Sequence, residues 1–150
     1  MRQSLRNTRA LLLIGLPAIV LACGGSDEPS ATPIAGTYVA TFFQTTGSSG
    51  QRNEIAAGST LTISLAANGT TTGHLHVAAS GSNPVFDADM AGTWTATENH
   101  IVTFTQAADT FVRNMEFTWA SDIQGLSTLA GDKVFSGTRI QITLTRGGEI

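Results

Sequence analysis

Two hydropathy regimes divide the chain. Residues 10–21 (ALLLIGLPAIVL) are apolar apart from interruptions at Gly15 and Pro17, whereas from Ile34 onward apolar residues alternate with threonine, serine and other polar residues. Alternation at a period of two sends successive side chains to opposite faces of a strand. Leu61-Thr62-Ile63-Ser64-Leu65 is the clearest instance. Asn68-Gly69 then offers the positive backbone angles of a tight turn, and residues 71–78 return as the partner strand. Residues 93–97 and 100–106 flank Glu98-Asn99 as a second hairpin, with Val102 and Phe104 on one face. Further strands are predicted over 36–44, 111–120, 126–130 and 139–146. In the last, Ile140, Ile142 and Leu144 share a face, and in 111–120 Met115, Phe117 and Trp119 do so. Gly131-Asp132 reads as a turn, and no window beyond Ile34 has the spacing of a long amphipathic helix.

About eight strands joined by short turns, without crossover helices, predict an all-β fold in which consecutive strands are antiparallel neighbours. Eight strands suffice to close a small up-and-down antiparallel barrel and so remove both exposed edges. An internal echo agrees with this. Residues 35–41 (AGTYVAT) and 91–97 (AGTWTAT) match at five of seven positions, 56 residues apart, as if opening strands one and five of two half-barrels. The rival reading is that glycine, threonine and an aromatic commonly open a strand. The longest connection, residues 45–59 (TTGSSGQRNEIAAGS), is polar and glycine-rich, which suggests a lid or a mobile loop.

Charge splits the chain where the hydropathy does. Arg2, Arg6 and Arg9 precede the apolar run, and beyond it five basic residues face eleven acidic ones, so the formal charge goes from −3 for the whole chain to −6 for the remainder. This excludes the clustered cations that nucleic acid or an anionic lipid surface demands. The apolar run of about 12 residues is shorter than the roughly 20 of a spanning helix. It fits the apolar region of a signal peptide, against the alternative of an uncleaved anchor. Val20-Leu21-Ala22-Cys23 resembles the lipobox of bacterial lipoproteins. That resemblance implies a signal peptide over 1–22, acylation at Cys23, and attachment to the cell envelope by acyl chains; Gly24 in place of an acidic residue favours the outer membrane. Residues 24–33 (GGSDEPSATP) then form a flexible tether, and residues 34–150 a single domain.

Gly36-Thr37-Tyr38 and the hairpin 61–70, Leu-x-Leu-x-x-Asn-Gly-Thr in outline, resemble the strand openings of small bacterial lipocalin-like proteins. The resemblance implies a barrel that binds a small hydrophobic ligand without catalysis, and an arginine on the last strand, Arg139 or Arg146, covering the aromatic ring of Tyr38 or Trp94. Tryptophan stands in the second copy of the echo rather than the first, and no disulfide or C-terminal helix is indicated.

Candidate chemistry is sparse. His74 and His76 share a strand face and could form a metal arrangement with His100, but Leu75 and Val77 claim the core face, which turns the imidazoles to solvent. Asp87 and Asp89 also share a face; two carboxylates fall short of the oxygens calcium requires, and a solvated strand edge is the expectation. No nucleophile-base-acid motif and no phosphate loop is present, so neither an enzyme, a cofactor nor a metal is expected. The aromatics Tyr38, Phe42, Trp94, Phe104, Phe117 and Trp119 are the candidate lining of an apolar pocket, and equally the filling of a solid core. Two functions follow from that choice: a hollow barrel binding a small apolar molecule, or a packed barrel acting as an envelope scaffold or interaction module.

Overall fold

Period-two patterning closes into a ring. In the computed structural model, which describes residues 31–147, one helical turn, α1 (Ala31–Ile34), precedes ten strands. These are β1 (Gly36–Gly47), β2 (Gly50–Asn53), β3 (Thr60–Leu65), β4 (Thr70–Val77), β5 (Phe86–Asp89), β6 (Gly92–Ala96), β7 (Ile101–Gln106), β8 (Glu116–Ser121), β9 (Ser127–Phe135) and β10 (Thr138–Arg146). Eight of them, β1, β3, β4 and β6–β10, form an antiparallel barrel in chain order, and β10 returns to pair with β1. The two extra strands pair beside it, β2 on the far end of β1 and β5 on β4. β5 and β6 keep one register along β4, from Val77↔Phe86 through His74↔Asp89 to Thr71↔Gly92, with the Met90 amide donating to the Gly73 carbonyl between them at 2.9 Å. Cys23, the leader and most of the tether lie outside the described residues.

Strand direction gives the barrel two unlike ends. The chain enters at the end that carries α1 and the connections 66–69, 97–100 and 122–126. The barrel interior is plugged at that end, where Ile34 is buried, the Tyr38 hydroxyl donates to its carbonyl at 2.8 Å and Trp94 Nε1 donates to the Ala66 carbonyl at 2.9 Å, with a hollow of about 710 Å³ beside the plug between residues 35–37, 124–126 and 146–147. Thus both aromatics of the echo point inward and tie their polar tips to the closing segments, which is how a buried tyrosine or tryptophan satisfies its donor. They open the first and fourth barrel strands, not the first and fifth, so the echo is not a division into equal halves.

The middle of the barrel is filled by side chains. Phe104 and Phe117 meet edge to face at 5.1 Å between centroids, surrounded by buried Leu61, Ile63, Leu129 and Leu144. Gly131 of β9 makes room for them, because a Cβ there would lie 2.6 Å from Met115 Cε and 3.0 Å from the Phe117 ring. The Gly131-Asp132 pair is therefore strand interior rather than a turn, its glycine chosen by packing.

Three other expectations change. The register of β1 against β10 shifts between Ala40 and Phe42, where Thr41 is the extra residue of a β-bulge. Beyond it the faces swap, so Phe43 is buried and Phe42 is 43% exposed. Residues 111–115 do not extend β8; they form a turn with Asn114 at φ 54°, whose apolar Phe111, Val112 and Met115 pack into the barrel. The connection 45–59 is built rather than loose. It extends β1 to Gly47, returns as β2, and makes a turn at 54–58 in which the Ser59 amide donates to the Glu54 carbonyl at 2.9 Å.

The two arginines offered as covers for an aromatic ring act otherwise. Arg139 forms an ion pair with Asp132 on the outer surface. Arg146 sits opposite Tyr38 in the register, lays its stem against Gly36, and donates to the carbonyls of Pro33 at 2.9 Å and Ala35 at 3.1 Å. It fastens the entering chain to the last strand.

Candidate functional site

At the end opposite the entering chain the barrel opens into a cavity of about 460 Å³. Its apolar wall comes from Leu75 and Val77 of β4, Phe86 of β5, Phe111, Phe135 of β9 and Ile140 of β10. Alternation accounts for part of this wall: Leu75 and Val77 share the core face of β4, as Ile140 occupies that of β10, and all three lie toward the strand ends on this side. Phe111 contacts Phe43 at 5.4 Å between centroids and joins the cavity to the packed core. Lys133 Nζ donates to the carbonyl of Arg113 at 2.8 Å and stands 6.0 Å from the centroid of Phe135, which holds the 107–115 connection over β9.

One wall depends on a buried carboxylate. Glu54, 3% exposed, accepts from the hydroxyls of Thr45 at 2.7 Å and Ser59 at 2.9 Å, and pairs with Arg52 at 3.4 Å. The Arg52 guanidinium in turn donates to the carbonyls of Ala78 and Ala79, the latter at 2.9 Å. The hairpin of β1 and β2 is thereby stapled to the segment between β4 and β5. A buried charge persists only when paired and hydrogen-bonded in this way. Nothing in the sequence marks Glu54, because it is one acidic residue in a polar, glycine-rich stretch.

The aromatics expected to line a pocket do not line this one. Tyr38, Trp94, Phe104 and Phe117 are buried in the core, toward the closed end and middle. Trp119 is half-buried, stacked on His100 at 5.4 Å, and its Nε1 has no hydrogen-bond partner among the described residues. Phe42 lies outside, in a groove shared with Ile101 and Thr118, because the bulge at Thr41 reverses its face. Leu75, Val77 and Ile140 were legible only as core positions, and the lining residues between 45 and 54 only as part of a polar connection; that they border a void depends on what faces them across the ring.

A second constellation lies on the outer face. β4 and β5 pair His74 with Asp89 and His76 with Asp87, so four residues that are two separate pairs in the sequence become one cluster. His74 has Nδ1 2.9 Å from Asp89 Oδ1 and Nε2 3.3 Å from Asp87 Oδ1, and His76 Nδ1 is 2.7 Å from the same Asp87 oxygen. Only the protonated imidazole donates from both nitrogens, and the Asp89 hydrogen bond, against a small desolvation penalty, raises the His74 pKa above its ordinary value. The His76 hydrogen bond holds the Asp87 carboxyl below the usual range. Asp87 and Asp89 are exposed on β5, which pairs with β4 alone, so the solvated-edge expectation holds; what the sequence did not show is their pairing with His76 and His74. His100 is at the β6–β7 turn, with φ 61° and its ring on Trp119, and does not join His74 and His76. Among the described residues no group of three or more His, Cys, Asp or Glu is arranged to hold a metal ion. What the cluster can do chemically is exchange protons with solvent. The cavity presents apolar side chains together with hydroxyl, amide and charged groups.

No family model matches the chain, and the searches of curated proteins and of solved structures also find no match.

Proposed function

We propose that the chain is a non-enzymatic, lipocalin-like lipoprotein of the cell envelope that is tethered through acyl chains on Cys23 and binds a small apolar molecule at the open end of its barrel. The observation that carries the reading is the cavity. Its volume of about 460 Å³ lies within the roughly 300–1,000 Å³ of small-molecule sites, and its lining mixes the apolar side chains of Leu75, Val77, Phe86, Phe111, Phe135 and Ile140 with hydroxyl, amide and charged groups. Its position supports the reading too, since the mouth lies at the end away from α1 and so away from the tether. An anchored domain would then present its site to the surrounding compartment.

The test is the fluorescence of N-phenyl-1-naphthylamine, an uncharged probe that brightens in apolar surroundings, titrated with the purified full chain. Saturable enhancement is expected, and Thr138→Trp should abolish it, because Thr138 lines the cavity and an indole there would fill it. Melting temperature within a few degrees of the parent would show that the variant still folds. Absence of saturable binding by the parent chain would overturn the proposal.

The packed middle of the barrel favours a second reading, an interaction module without a ligand. On that reading Thr138→Trp leaves capture of an envelope partner intact, and the probe finds no site.

A further inference from the structure

We infer that the ligand of the open-end cavity is an uncharged amphiphile, an alcohol, ester or amide with an apolar tail, and that an anionic headgroup is refused. This rests on reading the cavity as a ligand site. The argument turns on the three charged residues of its lining, Arg52, Glu54 and Asp109.

Arg52 is the only cation among them, and it is already engaged. Its guanidinium faces two backbone carbonyls and the buried Glu54 carboxylate, whose oxygens are themselves held by Thr45 and Ser59. Turning Arg52 toward a ligand carboxylate would strand Glu54, 3% exposed, without its counter-charge. Breaking a buried pair is strongly unfavourable. Asp109 adds a second negative charge at the mouth, and its partner Arg113 lies 3.7 Å away in an exposed pair that is not part of the lining. The lining thus carries one cation against two anions. The chain as a whole is acidic, with a formal charge of −3, which repels anions further.

An uncharged headgroup meets none of these costs. The mouth offers Ser49, Ser80, Asn83, Ser136 and Thr138, groups that both donate and accept hydrogen bonds. A hydroxyl, ester or amide can exchange its water partners for these, whereas a carboxylate taken from water without a cation keeps its desolvation penalty. The apolar tail would lie along Leu75, Phe111 and Ile140 toward the core.

Displacement of N-phenyl-1-naphthylamine from the full chain tests the inference, with 1-decanol and decanoate compared at about pH 8, where the acid is ionised. Decanol is expected to compete at least about tenfold better than decanoate, a difference of roughly 1.4 kcal/mol. Asp109→Lys, at an exposed position, is expected to narrow that ratio by improving decanoate. Equal or better competition by decanoate, or a ratio untouched by Asp109→Lys, overturns the inference while leaving the ligand site standing. Failure of the probe to bind the parent chain removes the ligand site, and the inference falls with it.

Discussion

Gly131 shows how narrowly single residues decide the packing of this barrel. Its missing side chain is where Met115 and the Phe117 ring sit, at 2.6 Å and 3.0 Å from the position a Cβ would take. Gly131→Val should therefore overpack the core and cost about 1–3 kcal/mol, read as a lower urea midpoint with unchanged slope. An unchanged midpoint would mean that the core rearranges freely around position 131. Phe42 and Phe43 make a related point. Alternation from Tyr38 puts Phe42 inside, and one extra residue, Thr41, puts Phe43 there instead. A bulge leaves no mark on the composition of a strand, so the face of Tyr38 was legible and the face of Phe42 was not.

At the scale of elements, β4 and β5 form a ladder whose outer side is ionisable. His74 and His76 face Asp89 and Asp87, while the opposite neighbours on β3, Thr62 and Thr60, carry no charge. Because His74 is raised above 6.5, its contribution to stability is complete below that pH and is lost as pH rises through the raised value. Because Asp87 is lowered below 3.8, its contribution is complete above that pH and is lost as pH falls through the lowered value. Both are present between 3.8 and 6.5. The melting-temperature difference between the parent chain and Asp89→Asn should accordingly be largest in that window and shrink above it. A difference that stays constant across pH would show that the pairs do not titrate with folding. Alternation alone placed the imidazoles outward and the aspartates on one face; pairing these two segments to each other required the register of β4 against β5.

For the whole molecule, the two ends of the barrel divide the work. Arg146, Tyr38 and Ile34 seal the end where the chain enters, and the connections at the other end leave the cavity. If Cys23 carries the acyl chains, Cys23→Ser should shift the protein from the membrane to the soluble fraction while its melting temperature stays the same. Retention in the membrane as the uncleaved precursor would instead identify residues 10–21 as the anchor.

The alternation of apolar and threonine-rich positions by itself determined the all-β class, the approximate number of strands, and the inward face of Leu61, Leu75, Phe104, Phe117 and Ile142, because those follow from a strand's period of two. The apolar run and Cys23 set the leader and tether apart as an expectation on the same local grounds. Only the tertiary structure decided that β10 meets β1, that Glu54 is buried between Thr45, Ser59 and Arg52, and that Phe111 turns inward. Each depends on neighbours brought together across the ring, as Phe43 is with Ile142, and the void at the open end is a property of that closure. Periodicity reports which side of a strand is apolar; whether the apolar sides meet or leave space is settled by the strands opposite.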